Sequence, residues 1–200
     1  MLKHPESRYD PVWKAFDRYW RVRKNDVHIP LSFICVRRLL EAYPQADEDV
    51  CVLALMLHDI GWHSIDGPDL IEKAFGGSNF MQSDARYFHE AEGCRISREL
   101  LAELGWDAAV IEQVCEIIDG HDTRAEPHHL NDRIVRDADK LWRFGVTGVS
   151  VACDWFKMTP HAYVDKLEKT NLIQLETEIG RLMAERDLTE SRRILKLDVI

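Results

Sequence analysis

The apolar run Val52-Leu53-Ala54-Leu55-Met56-Leu57 ends in His58-Asp59. A fold that buries this run draws the two polar side chains in with it, and burying them is costly unless each is paired. The chain supplies candidate partners of the same chemistry: His28 upstream, then His89, His121 and Asp139 downstream. Each stands on or beside a segment with helical periodicity. Imidazoles and carboxylates brought together in this way are the ingredients of a divalent metal site.

Helical periodicity governs most of the remaining chain. Pro11 leads an aromatic stretch, Val12 to Trp20, with apolar residues at helical spacing. Pro30 fits the first turn of a second helix that Pro44 stops after Tyr43. A third runs from Asp47 to Ile60, with Gly61 suited to a left-handed cap. From His63 to Asp84, glycines and prolines mark a long loop of the kind that forms lids and binding elements. Ala85 to Leu104 is a helix ended by Gly105, and Asp107 caps the next, which runs to about Gly120. Helices follow over Leu130–Phe144 and Val146–Met158, then a long charged one over Pro160–Arg186. No stretch alternates as a strand, so the expected fold is all-α.

With 200 residues, 46% of them hydrophobic, one domain spanning 1–200 is expected. Its formal charge of −9 opposes non-specific binding to nucleic acid or membrane surfaces. An anionic small molecule stays possible, because a bound cation reverses the local field. The polar start, Met1 to Asp10, lacks the apolar core of a signal peptide. Cys35, Cys51, Cys94, Cys115 and Cys153 are scattered, without the clustering of a disulfide framework or zinc ribbon. A reduced, cytoplasmic protein is the expectation. The aromatic amino-terminal helix is compatible with a homodimer.

Most lone histidines are surface or satisfied core residues, and His4, His128, His129 and His161 are read that way. His58 differs because Asp59 adjoins it. Adjacent helical residues project about 100° apart, so both reach one ion only near the helix end. Of Asp137 and Asp139, one points inward and the other outward or towards a cap.

The order His28, Leu57-His58-Asp59-Ile60-Gly61 and Asp137-Ala138-Asp139-Lys140-Leu141 resembles the HD-domain superfamily of metal-dependent phosphohydrolases. The resemblance spans roughly Val27 to Phe144, with helices 146–200 packed beyond it. It implies a helical bundle with His28, His58, Asp59 and Asp139 as ligands, Asp137 being the second choice for the last. His89 and His121 match residues that hold a second ion in some branches and contact substrate phosphate in others. One or two divalent ions are implied: manganese, iron, cobalt, nickel, zinc or magnesium. The ion would activate a water for attack on a nucleotide or other small phosphate ester. Lys140, Arg86 and Arg124 are candidates to hold phosphate, and Lys140 also to assist catalysis. Several branches carry Lys or Glu where this chain has Trp62, whose indole can line a pocket or stack on a base but transfers no proton. General-acid duty would then fall to His63, His89 or Glu90, or to a metal-bound water, with Asp59 orienting the attacking water. The same ligand order also suits a di-iron oxygenase cleaving a carbon bond of a small organophosphonate or polyol. A non-catalytic nucleotide sensor is a third reading.

Overall fold

The computed structural model describes residues 7–19, 21–65 and 84–199. Residues 1–6, Trp20 and most of the loop expected over 63–84 lie outside the described residues. The helices are α1 (Asp10–Phe16), α2 (Asn25–Ala42), α3 (Glu48–Leu57), α4 (Asp84–Glu103), α5 (Ala108–Ile118), α6 (Leu130–Leu141), α7 (Val146–Phe156), α8 (Pro160–Lys166) and α9 (Glu178–Ile194). No strand occurs among the described residues, and the fold is all-α. The chain divides into two units, residues 1–26 with 49–127, and residues 27–48 with 128–200.

In the first unit, α3 is buried from Val50 to Leu57, as a helix apolar on every side must be. It stops at Leu57, and His58-Asp59 form the turn into a 3₁₀ segment over Ile60–Ser64. The expected helix to Ile60 is therefore three residues too long. Gly61 does not take up a left-handed cap; among the described glycines only Gly105 and Gly120 have positive φ. It permits close approach instead. A Cβ on Gly61 would overlap the carbonyl of His89 and lie 2.6 Å from the amide nitrogen of Gly93, so α4 packs directly on this turn.

α4 ends as expected at a left-handed Gly105, φ +80°, with Trp106 N–H reaching back to Leu101 O at 3.0 Å. Asp107 caps α5 by accepting from Ala109 N–H at 2.8 Å.

The second unit departs further from the periodicity. α2 starts at Asn25, so Pro30 lies inside it rather than in its first turn. The ring costs the hydrogen bond that residue 30 would make to residue 26, a loss the first turns of a helix tolerate best. The long helix expected over Pro160–Arg186 is broken. α8 ends at Lys166, a wide π turn and a 3₁₀ turn follow to Gln174, and α9 begins after Thr177. The break is set from a distance: buried Asp137 of α6 accepts from the amides of Glu176 and Thr177 at 2.8 Å each and from the Thr177 hydroxyl at 2.6 Å. Gly180 leaves room for that carboxylate, since a Cβ there would stand 2.5 Å from Asp137 Oδ2. Ser191 then ties α9 to Phe144 O at 2.7 Å. α9 reaches Ile194.

Candidate metal centre

In the first unit, three elements bring imidazoles to one carboxylate oxygen. The turn after α3 carries His58 and Asp59, α4 carries His89, and the loop after α5 carries His121. All four are buried. Asp59 Oδ1 lies 3.7 Å from His58 Nε2, 3.9 Å from His89 Nε2 and 3.8 Å from His121 Nε2. The last two nitrogens are 3.4 Å apart. A point equidistant from Asp59 Oδ1, His89 Nε2 and His121 Nε2 is about 2.1 Å from each, the length of a bond from imidazole or carboxylate to a first-row divalent ion. These three residues could hold a metal ion.

The rings are oriented for that use. His58 Nδ1–H donates to Leu55 O at 2.7 Å, and His121 Nδ1–H donates to Ile118 O at 2.8 Å. In both, the remaining nitrogen, Nε2, is the one turned to Asp59, which is how outer contacts orient metal ligands. His89 Nδ1 is buried and makes no hydrogen bond among the described residues. Its ring is instead held by stacking on Trp62, centroids 4.0 Å apart and planes 16° from parallel.

Charge is distributed unevenly over the trio when no cation is bound. Burial, helped by the neighbouring His121, pushes the His89 pKa down to about 3, against the opposing pull of Asp122 and Asp59. Burial also disfavours a charged His121, but the adjoining Asp59 carboxylate, with Asp122 and Glu90, outweighs it and raises the pKa to about 9. His89 is thus neutral and His121 carries a proton where a cation would otherwise sit.

Two further residues complete the surroundings of Asp59. Trp62 is fully buried and donates its indole N–H to Asp59 Oδ1 at 2.9 Å. Arg23 lays its guanidinium 4.3 Å from the other face of that indole and approaches Asp59 Oδ1 at 3.6 Å. With His89 on one face and Arg23 on the other, Trp62 holds Asp59 rather than offering a face to a base. Arg23 and Lys24 both have left-handed backbone, φ +51° and +58°, which costs about 1 kcal/mol or more each for residues with a Cβ. Nothing in the sequence marked Arg23. Asp122, 3.8 Å from His89 Nε2, had a signal: His121-Asp122 repeats the His-Asp pairing of the dyad.

The other candidates are dispersed. Glu90 is buried, and its oxygens take the amides of Asp122 and Thr123 at 2.9 and 3.0 Å and the Thr123 hydroxyl at 2.5 Å, so it braces the His121 loop. Arg86 braces the same loop, donating to Asp122 O with its guanidinium 3.4 Å from Asp122 Oδ1. Arg124 turns back onto the end of α5, donating to Glu116 O at 2.8 Å and to Asp119 O. His63 is exposed and packs edge-on against Tyr19.

In the second unit, His28 Nε2–H donates to Asp139 Oδ1 at 2.7 Å, both side chains being buried. His28 stacks on Trp142 at 4.9 Å, and Arg143 stands 3.9 Å from Asp139. It is Asp139 that meets His28, while Asp137 is committed to the start of α9. Lys140 is half-buried and donates to Gln174 O at 3.4 Å; burial, with Arg136 nearby, lowers its pKa against the pull of Asp139 and Asp137.

The family model of the HD domain matches residues 31–143, more than half of the 200-residue chain. The chain belongs to the HD domain family. His58, Asp59, His89, His121 and Asp139 fall inside the matched span and His28 just before it. No curated protein matches the chain. Among solved structures, it is similar to the crystal structure of a predicted HD superfamily hydrolase from an uncultured Thermotogales bacterium. The TM-score is 0.61 at 20% identity, over 94% of this chain and 87% of that one. At that identity the likeness shows the shared all-α fold. Among the described residues, no helix is long and apolar enough to cross a membrane.

Proposed function

We propose that this chain is a metal-dependent phosphohydrolase acting on a nucleotide or another small phosphate ester. The observation that carries the proposal is the Asp59–His89–His121 triangle, whose edges of 3.4 to 3.9 Å suit a single ion. His58 beside it and the pair His28–Asp139 are proposed as further ligands on the strength of the sequence motif. A divalent ion supplies an activated water near neutral pH and offsets charge on a phosphoryl oxygen.

The chain's own residues do the remaining work. Leu55 O and Ile118 O fix the tautomers of His58 and His121. Trp62 and Arg23 hold Asp59, keeping its carboxylate in one orientation. Glu90 and Arg86 keep the His121 loop in register, so Glu90 acts as a positioning residue. The near-complete burial of His58, His89 and Trp62 keeps bulk water off the ligand nitrogens.

The test is hydrolysis of a panel of nucleotides and small phosphate esters with manganese, cobalt, nickel, zinc, iron or magnesium. Turnover should require one of these ions, and His58→Ala should lose it. A His58→Ala variant with full metal content and full activity would sink the proposal. The full ligand order His28, His58, Asp59, His89, His121 and Asp139 also suits two ions, and with them the di-iron oxygenase reading. Oxygen uptake with an organophosphonate or polyol, without phosphate release from any ester, would move the assignment there.

A further inference from the structure

Away from the His-Asp cluster, two of the five cysteines face each other across the α4–α5 contact. Cys94 Sγ–H donates to Cys115 O at 3.3 Å, and Cys115 Sγ–H donates to Cys94 O at 3.6 Å. Each sulfur therefore lies against the other residue's backbone, where the two helices pack. Both thiols are unbridged. They border a surface hollow of about 440 Å³ whose rim also carries Arg98, Glu112 and Asp119. Arg98 is held there by Glu112 through two hydrogen bonds of 2.9 and 3.0 Å.

We propose that Cys94 and Cys115 form a redox-active dithiol, which a peroxide entering this hollow oxidises to an intramolecular disulfide. Cys115 is the attacking sulfur. The neighbouring Cys94 thiol lowers its pKa, burial opposing and Arg98 assisting, while the neighbouring Cys115 and burial raise the Cys94 pKa. The Cys115 thiolate attacks one peroxide oxygen, breaks the O–O bond and becomes a sulfenic acid, and the departing hydroxide takes a proton to leave as water. The Cys94 sulfur then displaces the sulfenic oxygen, which leaves as a second water with the Cys94 proton. Two thiols and one peroxide thus give one disulfide and two waters.

The remaining cysteines are poorer candidates. Burial, with Asp187 nearby, pushes the Cys35 thiol up to about 12. Burial also raises the Cys153 thiol. The disulfide would also join the two helices that position the proposed metal ligands: α4 carries His89 five residues before Cys94, and α5 runs from Cys115 into Ile118, whose carbonyl orients His121.

The experiment uses the wild-type full chain, treated with hydrogen peroxide, alkylated under denaturing conditions and mapped by mass spectrometry. Two of the five thiols should be lost, with the mass lower by two hydrogens and the peptides bearing Cys94 and Cys115 linked. Dithiothreitol should restore both. Cys94→Ser and Cys115→Ser should each abolish the link, and Cys35→Ser should keep it. Should either serine variant fail to fold, the wild-type peptide map alone decides. Full alkylation of Cys94 and Cys115 after Cys153 has oxidised would overturn the proposal. So would accumulation of Cys115 as sulfinic acid with Cys94 still a free thiol.

Discussion

At Asp59 a single oxygen, Oδ1, is approached by the Trp62 indole at 2.9 Å, by Arg23 at 3.6 Å and by three imidazoles at 3.7 to 3.9 Å. Holding that oxygen still is the task of Trp62. Trp62→Phe keeps a ring against His89 but removes the N–H. A hydrogen bond to a charged group is worth about 1.5–3 kcal/mol, and loss of an outer contact of this kind lowers metal affinity roughly 10- to 100-fold. Competition with a fluorescent chelator should show that drop with the helical circular dichroism unchanged; unchanged affinity would mean that Trp62 only packs. Asp137 and Asp139 separate by the same logic. Asp137→Ala should lower unfolding free energy by about 2–4 kcal/mol, since it leaves three donors, two of them buried, without their acceptor, and should leave metal content intact. Asp139→Ala should lower metal content in elemental analysis, and in urea unfolding should cost less, since it leaves one donor, His28 Nε2, unpaired.

At the scale of elements, the turn after α3 and helix α4 meet at Gly61. Gly61→Ala would drive a methyl into the backbone of His89 and Gly93, and backbone cannot swing aside as a side chain can. A loss of about 3 kcal/mol or more is expected in urea unfolding, with His89 displaced and metal affinity lowered; a neutral substitution would mean that the contact is looser than described. Much at this scale was legible in the sequence where the signal is local. Asp107 caps α5 and Gly105 ends α4 because each acts within a few residues of itself. The break at Thr177 was illegible because Asp137, about 40 residues away, imposes it. Pro30 misled because proline at the sixth position of α2 looks the same in sequence as proline at the first. For the centre, His58, Asp59, His89 and His121 were readable as metal-type residues on or beside helices. Arg23 was not, since its place depends on two left-handed residues that contain no glycine.

For the molecule as a whole, the excess of 35 acidic over 26 basic side chains gives a charge of −9 that favours cation uptake and works against compact folding. An ion that binds only the folded chain stabilises it by about 2.7 kcal/mol at 100 times Kd. For 200 residues that is a rise in Tm of roughly 5–10 °C, removable with a chelator and absent in His89→Ala. A Tm indifferent to every metal tried would count against a native-state site.

The most direct measurement is elemental analysis of the chain purified without added metal or chelator, beside an Asp59→Ala variant whose helical content is shown to be intact. One or two divalent ions per wild-type chain, and a clear loss in the variant, are the predicted result. A metal-free wild-type protein that takes up none of the six ions on dialysis, or a variant that keeps its full complement, would contradict a centre built on Asp59.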